Sequence, residues 1–367
     1  MSRVVQVVQH LRPGGIETMA LDLCSFTQSH KKPLIISLEG SYRDALRHWP
    51  RLKRYASRVI FLNKQPGTKP FLVLRLSRLL RRIGADVVHT HHLGPLLYAG
   101  LAARLAGIKH LVHTEHDAWH LNNPRHCQLQ KLIIRLTQPL LVADAHIVAS
   151  AMCRQLDIDK VEVEVVTNGI DTQYFKPGQQ SLAREQLMLP LNVPLIGCSG
   201  RLETVKGHCF LFQALGDLPQ EVHLALAGEG SMKQQLQQLA EELGLSQRIH
   251  FLGRVDFMPR FYQALDVFCL PSINEGMPLS PLEAQACNVP TLVTDVGAAS
   301  ETLCPDTGVL IPARDVGALS LNLMRVLSEH LRVRNTGAQS SPRTFVKNHC
   351  DVRLMAQAYN QLQTREL

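Results

Sequence analysis

Residues 193–202, VPLIGCSGRL, decide the fold, because they restart a pattern that the chain has already run through once. The first run begins at residues 3–11, RVVQVVQHL, where a β-branched stretch is followed by a Gly-Gly turn and a helical pattern. Further apolar runs follow at 32–40, 85–92, 110–117, 145–150 (AHIVAS) and 163–169, with longer helical patterns between several of them. One of these, FLVLRLSRLLRRIG at 71–84, places Leu72, Leu76, Leu79, Leu80 and Ile83 on one side of a helix. The second run continues through VHLALAGEG (222–230), RIHFLGRV (248–255), VFCLPS (267–272), PTLVTDVG (290–297) and GVLIP (308–312). Strands that are apolar on both faces and separated by helices build parallel sheets. The chain therefore reads as two doubly wound α/β domains in tandem. The first covers 1–180, the second 181–345, and a terminal helix at 346–367 returns toward the first. The polar, turn-rich stretch at 174–190 reads as the linker. Ligands of such folds bind beyond the carboxyl ends of the strands, and the cleft between two such domains is the expected place.

Length and composition agree with this. A chain of 367 residues, 45% hydrophobic and 19% charged, can fill two ordinary cores. Nine cysteines, an odd number without a C-x-x-C pair, sit in apolar runs such as LIGCSG and read as reduced thiols of a cytoplasmic protein. No uncharged apolar run reaches the roughly 18 residues a membrane helix needs, and the N-terminus lacks the apolar core of a signal peptide. The net charge of +8 is uneven: residues 1–180 hold 24 Lys and Arg against 13 Asp and Glu, and residues 181–367 hold 15 against 18. Between Arg43 and Arg82 there are twelve bases and one acid, Asp44. Such a field fits an anionic membrane surface or simply a solvated basic face. Nucleic acid is not expected, since no recognition helix or aromatic-interleaved basic motif occurs.

The chemistry concentrates at strand ends. NEGMPLSPLEAQA, 274–286, follows the VFCLPS strand and carries Glu275 and Glu283. Ser280, Pro281 and Glu283 have the spacing of a capping box, with Ser280 as N-cap, so Glu283 reads either as a helix cap or as a grip on paired hydroxyls. Glu275, in a tight turn, has less structural reason to be there. Arg201 and Lys206 stand after the first strand of the second domain, suited to a diphosphate. Gly14 and Gly15, between the first strand and helix, read either as an ordinary turn or as a close approach to a ligand. His89, His91 and His92, with His116, make strand ends rich in imidazole. Zinc lacks a fourth well-spaced ligand there, so sugar hydroxyls or phosphate are the better partners and no metal is expected.

Taken together, GG (14–15), HTHH (89–92), HTEHD (113–117), NGID (168–171), GRL and KG (200–207), GEG (228–230), FLGRVD (251–256) and NEGMPLSPLEAQA resemble, in order and over nearly the whole chain, the retaining GT-B glycosyltransferases of family 4. Glu275 and Glu283 match that family's E-x7-E motif. The resemblance implies two Rossmann-like domains facing each other across a cleft, and a nucleotide-sugar donor used without a divalent metal or other cofactor. It implies that Glu275 contacts the transferred hexose, and that the backbone of Gly276, Met277, Pro278 and Leu279 lies along sugar and diphosphate. Glu283 would hold the ribose and Arg201 and Lys206 the leaving diphosphate. Arg254 and Val255 would lie near the base, Gly14 and Gly15 would face the diphosphate, and His116 the donor sugar. His89, His91 and His92 are acceptor-side candidates. Gly-Met-Pro at 276–278 replaces the Gly-Phe-Gly common in the family and resembles the branch that builds bacterial surface polysaccharides. The implied donors are GDP-mannose or UDP-glucose. The implied acceptor is an oligosaccharide or a polyprenyl-diphosphate-linked sugar at the inner face of the plasma membrane, where the enzyme would be peripheral. Two rivals remain: a nucleotide-sugar epimerase of the same fold, and a non-catalytic sugar-nucleotide-binding subunit.

Overall fold

The computed structural model describes residues 2–27, 31–336 and 342–364. The chain divides into two compact units, Met1–Gly169 with Val352–Leu367, and Ile170–Asp351.

The first unit is a seven-stranded parallel sheet in the order β3-β2-β1-β4-β5-β6-β7. Its strands are β1 (Val4–Val8), β2 (Leu34–Ser37), β3 (Val59–Phe61), β4 (Val87–His91), β5 (His110–Glu115), β6 (Leu140–Ala143) and β7 (Val163–Val165). Alternation along β1 explains the layering. Val5 and Val7 pack with Ile36, Val88 and Leu111 against Leu72, Leu76 and Leu80 of the helix Phe71–Arg82. Val4 faces the opposite side with Val87 and Val142, covered by Met19 and Leu23 of the helix Gly15–Phe26 and by Met355 and Tyr359 of Val352–Thr364. Each face buries a closed apolar layer, as a parallel sheet requires.

The second unit has six parallel strands in the order β10-β9-β8-β11-β12-β13. These are β8 (Leu195–Ser199), β9 (His223–Ala227), β10 (Ile249–Gly253), β11 (Val267–Leu270), β12 (Thr291–Thr294) and β13 (Val309–Ile311). One core joins Ile196, Leu224, Val267 and Leu292 of the sheet to Leu211 and Leu215 of His208–Gly216 and to Leu319 and Leu323 of Val316–Thr336. In both units the strand order reverses beside the first strand, between β1 and β4 and between β8 and β11, and the loops that follow these strands leave a crevice at the carboxyl edge of the sheet.

Three expectations change. The strand expected at 145–150 is the helix His146–Leu156, and β6 lies just before it. Val148, Ala149, Met152 and Leu156 are its buried residues, a helical spacing that a short β-branched run concealed. The stretch 174–190 is not a linker. It contains the helix Gln180–Gln186, whose Arg184 is 3% exposed and pairs with Asp266 at 2.7 Å while bonding the carbonyls of Ala264, Leu191 and Val193. That buried guanidinium fastens the segment to the second unit and moves the division to residue 169. Finally, Ser280 is not a helix cap: Ser280–Ala286 is helical and Leu279 holds the cap position.

Candidate active site

In the second unit the loops after β8 and β11 meet. Lys206 ends a 3₁₀ turn (Thr204–Lys206), and Gly207 follows with φ +66°. A Cβ at Gly207 would lie 2.1 Å from the carbonyl oxygen of Pro271, so this turn touches the end of β11 backbone to backbone. That contact aims Lys206 Nζ at Glu275 Oε1, 2.6 Å away. Ser272 Oγ donates to the same oxygen at 2.5 Å. Glu275 is 8% exposed, a carboxylate held by one cation and one hydroxyl. A second close approach fixes the loop from behind. Gly297, at φ +53°, would place a Cβ 1.7 Å from the carbonyl oxygen of Glu275, and Ala298 N–H donates to Gly276 O at 3.1 Å. Met277 and Pro278 are buried, Gly276 and Leu279 half-buried, and Arg201 is exposed.

Glu283 Oε2 accepts from the hydroxyl of Tyr262 at 2.5 Å, and Tyr262 in turn meets Ser199 Oγ at 2.9 Å. Burial, reinforced by the Glu283 carboxylate, pushes the Tyr262 phenol well above its ordinary range, so it stays a donor. Glu283 is therefore oriented by a buried tyrosine. Arg254 pairs with Asp256 at 3.1 Å, and Val255 is half-buried beside it.

In the first unit the ends of β4 and β5 form a buried imidazole network. His91 Nε2 meets Gln6 Oε1 at 2.8 Å, and His91 Nδ1 meets His116 Nε2 at 3.0 Å. His116 Nδ1 lies 3.1 Å from Asp144 Oδ2, which also accepts from Asn168 Nδ2 at 2.9 Å. His89 Nε2 bonds Thr114 Oγ1 at 2.8 Å, and Thr114 meets the Tyr359 hydroxyl at 3.1 Å. Burial pushes His89 and His91 well below the imidazole range and raises Asp144. Burial thus keeps His89 and His91, at the centre of the network, in their neutral forms. His89 and His91 are 0% and 1% exposed and His116 is 5% exposed, with both nitrogens of His91 and of His116 engaged. The expectation that His89 and His91 meet an acceptor directly gives way to a supporting role, because neither reaches solvent.

His92 is the accessible member of that set, with φ +66° and a side chain 28% exposed. Its Nδ1 lies 3.1 Å from Glu115 Oε2. Burial opposes its charge, but the Glu115 carboxylate prevails and raises it. His120 behaves likewise: burial works against the charge, yet Asp117 and Glu115 raise it to about 9. At the start of the first helix, Gly14 has an extended backbone, φ −168°, that any residue adopts. A Cβ there would clash with the flexible end of Glu17, whose carboxylate pairs with His10 at 3.1 Å, and would lie at ordinary contact distance, 3.8 Å, from the carbonyl of Arg12. The backbone thus does not demand glycine at 14, and Gly15 opens the helix itself.

Ser272, Tyr262, Asp144, Asn168 and His120 were not singled out from sequence. Asn168, in NGID, and Ser272, the last residue of VFCLPS, lay within stretches quoted above, but Ser272 had no distinguishing neighbour.

Comparison with known proteins assigns the chain. The family model "Glycosyltransferase Family 4" matches residues 13–174, and "Glycosyl transferases group 1" matches residues 179–341. The chain is 31% identical over 285 residues to a D-inositol 3-phosphate glycosyltransferase of Xylanimonas cellulosilytica, covering 71% of this chain and 68% of that one. It is 28% identical over 273 residues to the UDP-Gal:alpha-D-GlcNAc-diphosphoundecaprenol alpha-1,3-galactosyltransferase of Escherichia coli, covering 70% of each. In fold it matches Anabaena Alr3699/HepE, solved in complex with UDP, with a TM-score of 0.83 at 20% identity over 98% of both chains. The chain belongs to the group 1, family 4 glycosyltransferases, and its two Rossmann-like units are those of the GT-B class.

Proposed function

We propose that this enzyme transfers a hexose, with retention of configuration, from a GDP- or UDP-sugar to a growing bacterial surface polysaccharide, probed first with GDP-mannose and UDP-glucose. The observation that carries the reading is the Lys206–Glu275 pair steadied by Ser272, because it sets a cation and an oriented carboxylate side by side on two fixed loops. Lys206 and the exposed Arg201 neutralise the departing diphosphate electrostatically, so the donor site needs no divalent metal. Glu275 swings its second oxygen to the hexose hydroxyls and positions the sugar. Its oxygen shared with Lys206 and Ser272 is too well neutralised for a nucleophile, which favours front-face substitution with the leaving phosphate taking the acceptor proton. The backbone of Gly276 to Leu279 lies along the sugar and diphosphate, Glu283 takes the ribose hydroxyls, and Arg254 and Val255 flank the base.

The first unit holds the acceptor, with His92 as its exposed imidazole and His116 set by Asp144. A lipid-diphosphate acceptor is supported by the Escherichia coli relative, whose name specifies one. A peripheral position on an anionic membrane is supported by the outer face of Phe71–Arg82, where Phe71 is 83% and Leu74 47% exposed beside exposed Arg75, Arg78 and Arg82. Among the described residues no helix is long and apolar enough to cross a membrane.

Calorimetry with GDP, UDP, GDP-mannose and UDP-glucose, in chelator, tests the donor reading. Tight binding of one nucleotide with loss in Lys206→Ala supports it; no binding with or without magnesium sinks it. Product analysis then separates transfer from epimerisation of the free nucleotide sugar, and no turnover at all would point to a binding subunit.

A further inference from the structure

His92, Glu115 and His120 meet at the carboxyl edge of the first unit's sheet. His92 follows β4, Glu115 ends β5, and His120 sits in the 3₁₀ turn Trp119–Asn122 just beyond it. One nitrogen or oxygen from each lies within 4.8 Å of the other two. His92 Nδ1 is 3.1 Å from Glu115 Oε2, and His120 Nε2 is 3.7 Å from Glu115 Oε1. Ligands of one tetrahedral ion at ~2.0–2.1 Å stand roughly 3.4 Å apart, so a set already within 4.8 Å needs only a small inward shift of the two imidazoles onto one carboxylate oxygen. We infer that His92, Glu115 and His120 form a three-ligand site for one divalent transition-metal ion of the zinc type.

Four further observations shape the site. First, Asp117 lies behind both imidazoles: Oδ2 is 3.8 Å from His92 Nε2 and Oδ1 is 3.7 Å from His120 Nδ1, the ring nitrogens turned away from Glu115. A carboxylate behind each ligating imidazole fixes its tautomer and raises its basicity. Second, Glu115 is fully buried and held by His113 Nε2 at 2.9 Å and Gln130 Nε2 at 2.7 Å, so it cannot swing away. Third, the side chains of His92, Asp117 and His120 are 28%, 23% and 20% exposed, which leaves an entry path and a coordination position open to water or a ligand oxygen. Fourth, two carboxylates face two imidazoles, and a divalent ion leaves that group neutral. The nitrogen pair selects zinc, cobalt or nickel over magnesium or calcium, which prefer oxygen. The ion must displace two existing bonds, that of Gln130 Oε1 with His120 Nε2 at 2.7 Å and that of His92 Nδ1 with Glu115 Oε2 at 3.1 Å.

This inference is independent of the donor reading. The donor cations Arg201 and Lys206 belong to the second unit, whereas the metal ligands belong to the first. The test uses the untagged full-length chain, stripped with chelator and titrated with Zn²⁺ by calorimetry and with Co²⁺ by its visible ligand-field spectrum. The expected result is one ion per chain, with a cobalt spectrum of low symmetry. His92→Ala and His120→Ala each weaken binding at least tenfold, and Asp117→Asn weakens it roughly 10–100-fold without removing a ligand. His223→Ala, which removes half of a histidine pair in the second unit (His223 Nδ1 to His250 Nε2, 3.0 Å), leaves binding unchanged. Nucleotide calorimetry on each variant shows that it is folded. Absence of a stoichiometric site in the wild-type chain overturns the inference. So does binding that survives His92→Ala with His120→Ala, or that falls equally in His223→Ala. Retained nucleotide binding in chelator leaves the donor reading standing in any of those cases.

Discussion

The two units present opposite solutions to holding polar groups at the end of a parallel sheet. In the second, Glu275 is held by Lys206 and Ser272 on a loop pinned by close backbone contacts, and Glu283 meets Tyr262. In the first, the polar groups are stacked in depth: Gln6, His91, His116, Asp144 and Asn168 form a chain of bonds that is almost wholly buried. A short pair on a braced loop can release an oxygen to a ligand at small cost. A deep network cannot, because breaking one bond strands its neighbours away from water. The difference teaches that the second unit is built to exchange partners and the first to hold its own groups still.

The comparison breaks most readily at Glu275. Glu275→Ala is expected to cut kcat by roughly 10²–10³ while leaving the nucleotide Kd within a few-fold, since it removes sugar positioning and frees Lys206 for the diphosphate. Steady-state kinetics beside nucleotide calorimetry check this, and unchanged turnover would remove Glu275 from the site. Next in size, Gly297→Ala forces a Cβ into the Glu275 carbonyl at a positive φ and should cost about 3 kcal/mol, read as a lower denaturation midpoint. If the loop is braced as described, activity falls with it; Gly216→Ala, where a Cβ meets nothing within 4 Å, is the control.

Acid response sharpens the contrast. Burial, with Lys206 nearby, lowers His208 of the second unit from 6.5 to about 4. Between those values the unfolded chain binds a proton that the folded state refuses. Stability is therefore complete above about 6.5 and falls as pH drops toward 4, by about 2 kcal/mol between pH 7 and pH 5. In His208→Asn that component of the acid limb disappears; denaturant titrations at the two pH values measure it, and an unaltered slope would show that another group sets it. Tyr262→Phe is the smallest change expected. It removes the Tyr262 bond to Glu283 and should weaken nucleotide binding by a few-fold, about 1 kcal/mol, with kcat held. A fall in kcat instead would place Tyr262 closer to the chemistry than Glu283.

Much of this was legible in the chain itself. The restart at VPLIGCSGRL and the β-branched runs fixed two parallel sheets, since apolar periodicity is a local property. The E-x7-E spacing with Arg201 and Lys206 pointed to loops where the structure brings Lys206 against Glu275. Other features were not legible. The helix His146–Leu156 resembled a strand over its first residues, and Gln180–Gln186 resembled a linker because the buried bonds of Arg184 reach Asp266, far along the chain. The capping-box spacing was present, but the helix starts at Ser280 itself with Leu279 at the cap position, and Glu283 meets Tyr262.

Sequence by itself determined most of the elements, the resemblance to the family and the identity of the charged groups, because these depend on periodicity and on residue types within short motifs. Tertiary structure alone decided which groups are partners. Lys206 meets Glu275, Tyr262 meets Glu283, His116 meets Asp144, and His92 meets Glu115, all across strands whose order no local pattern encodes. Hydrogen bonds and ion pairs act over a few ångströms of space, and only the folded sheet sets that distance between residues dozens of positions apart.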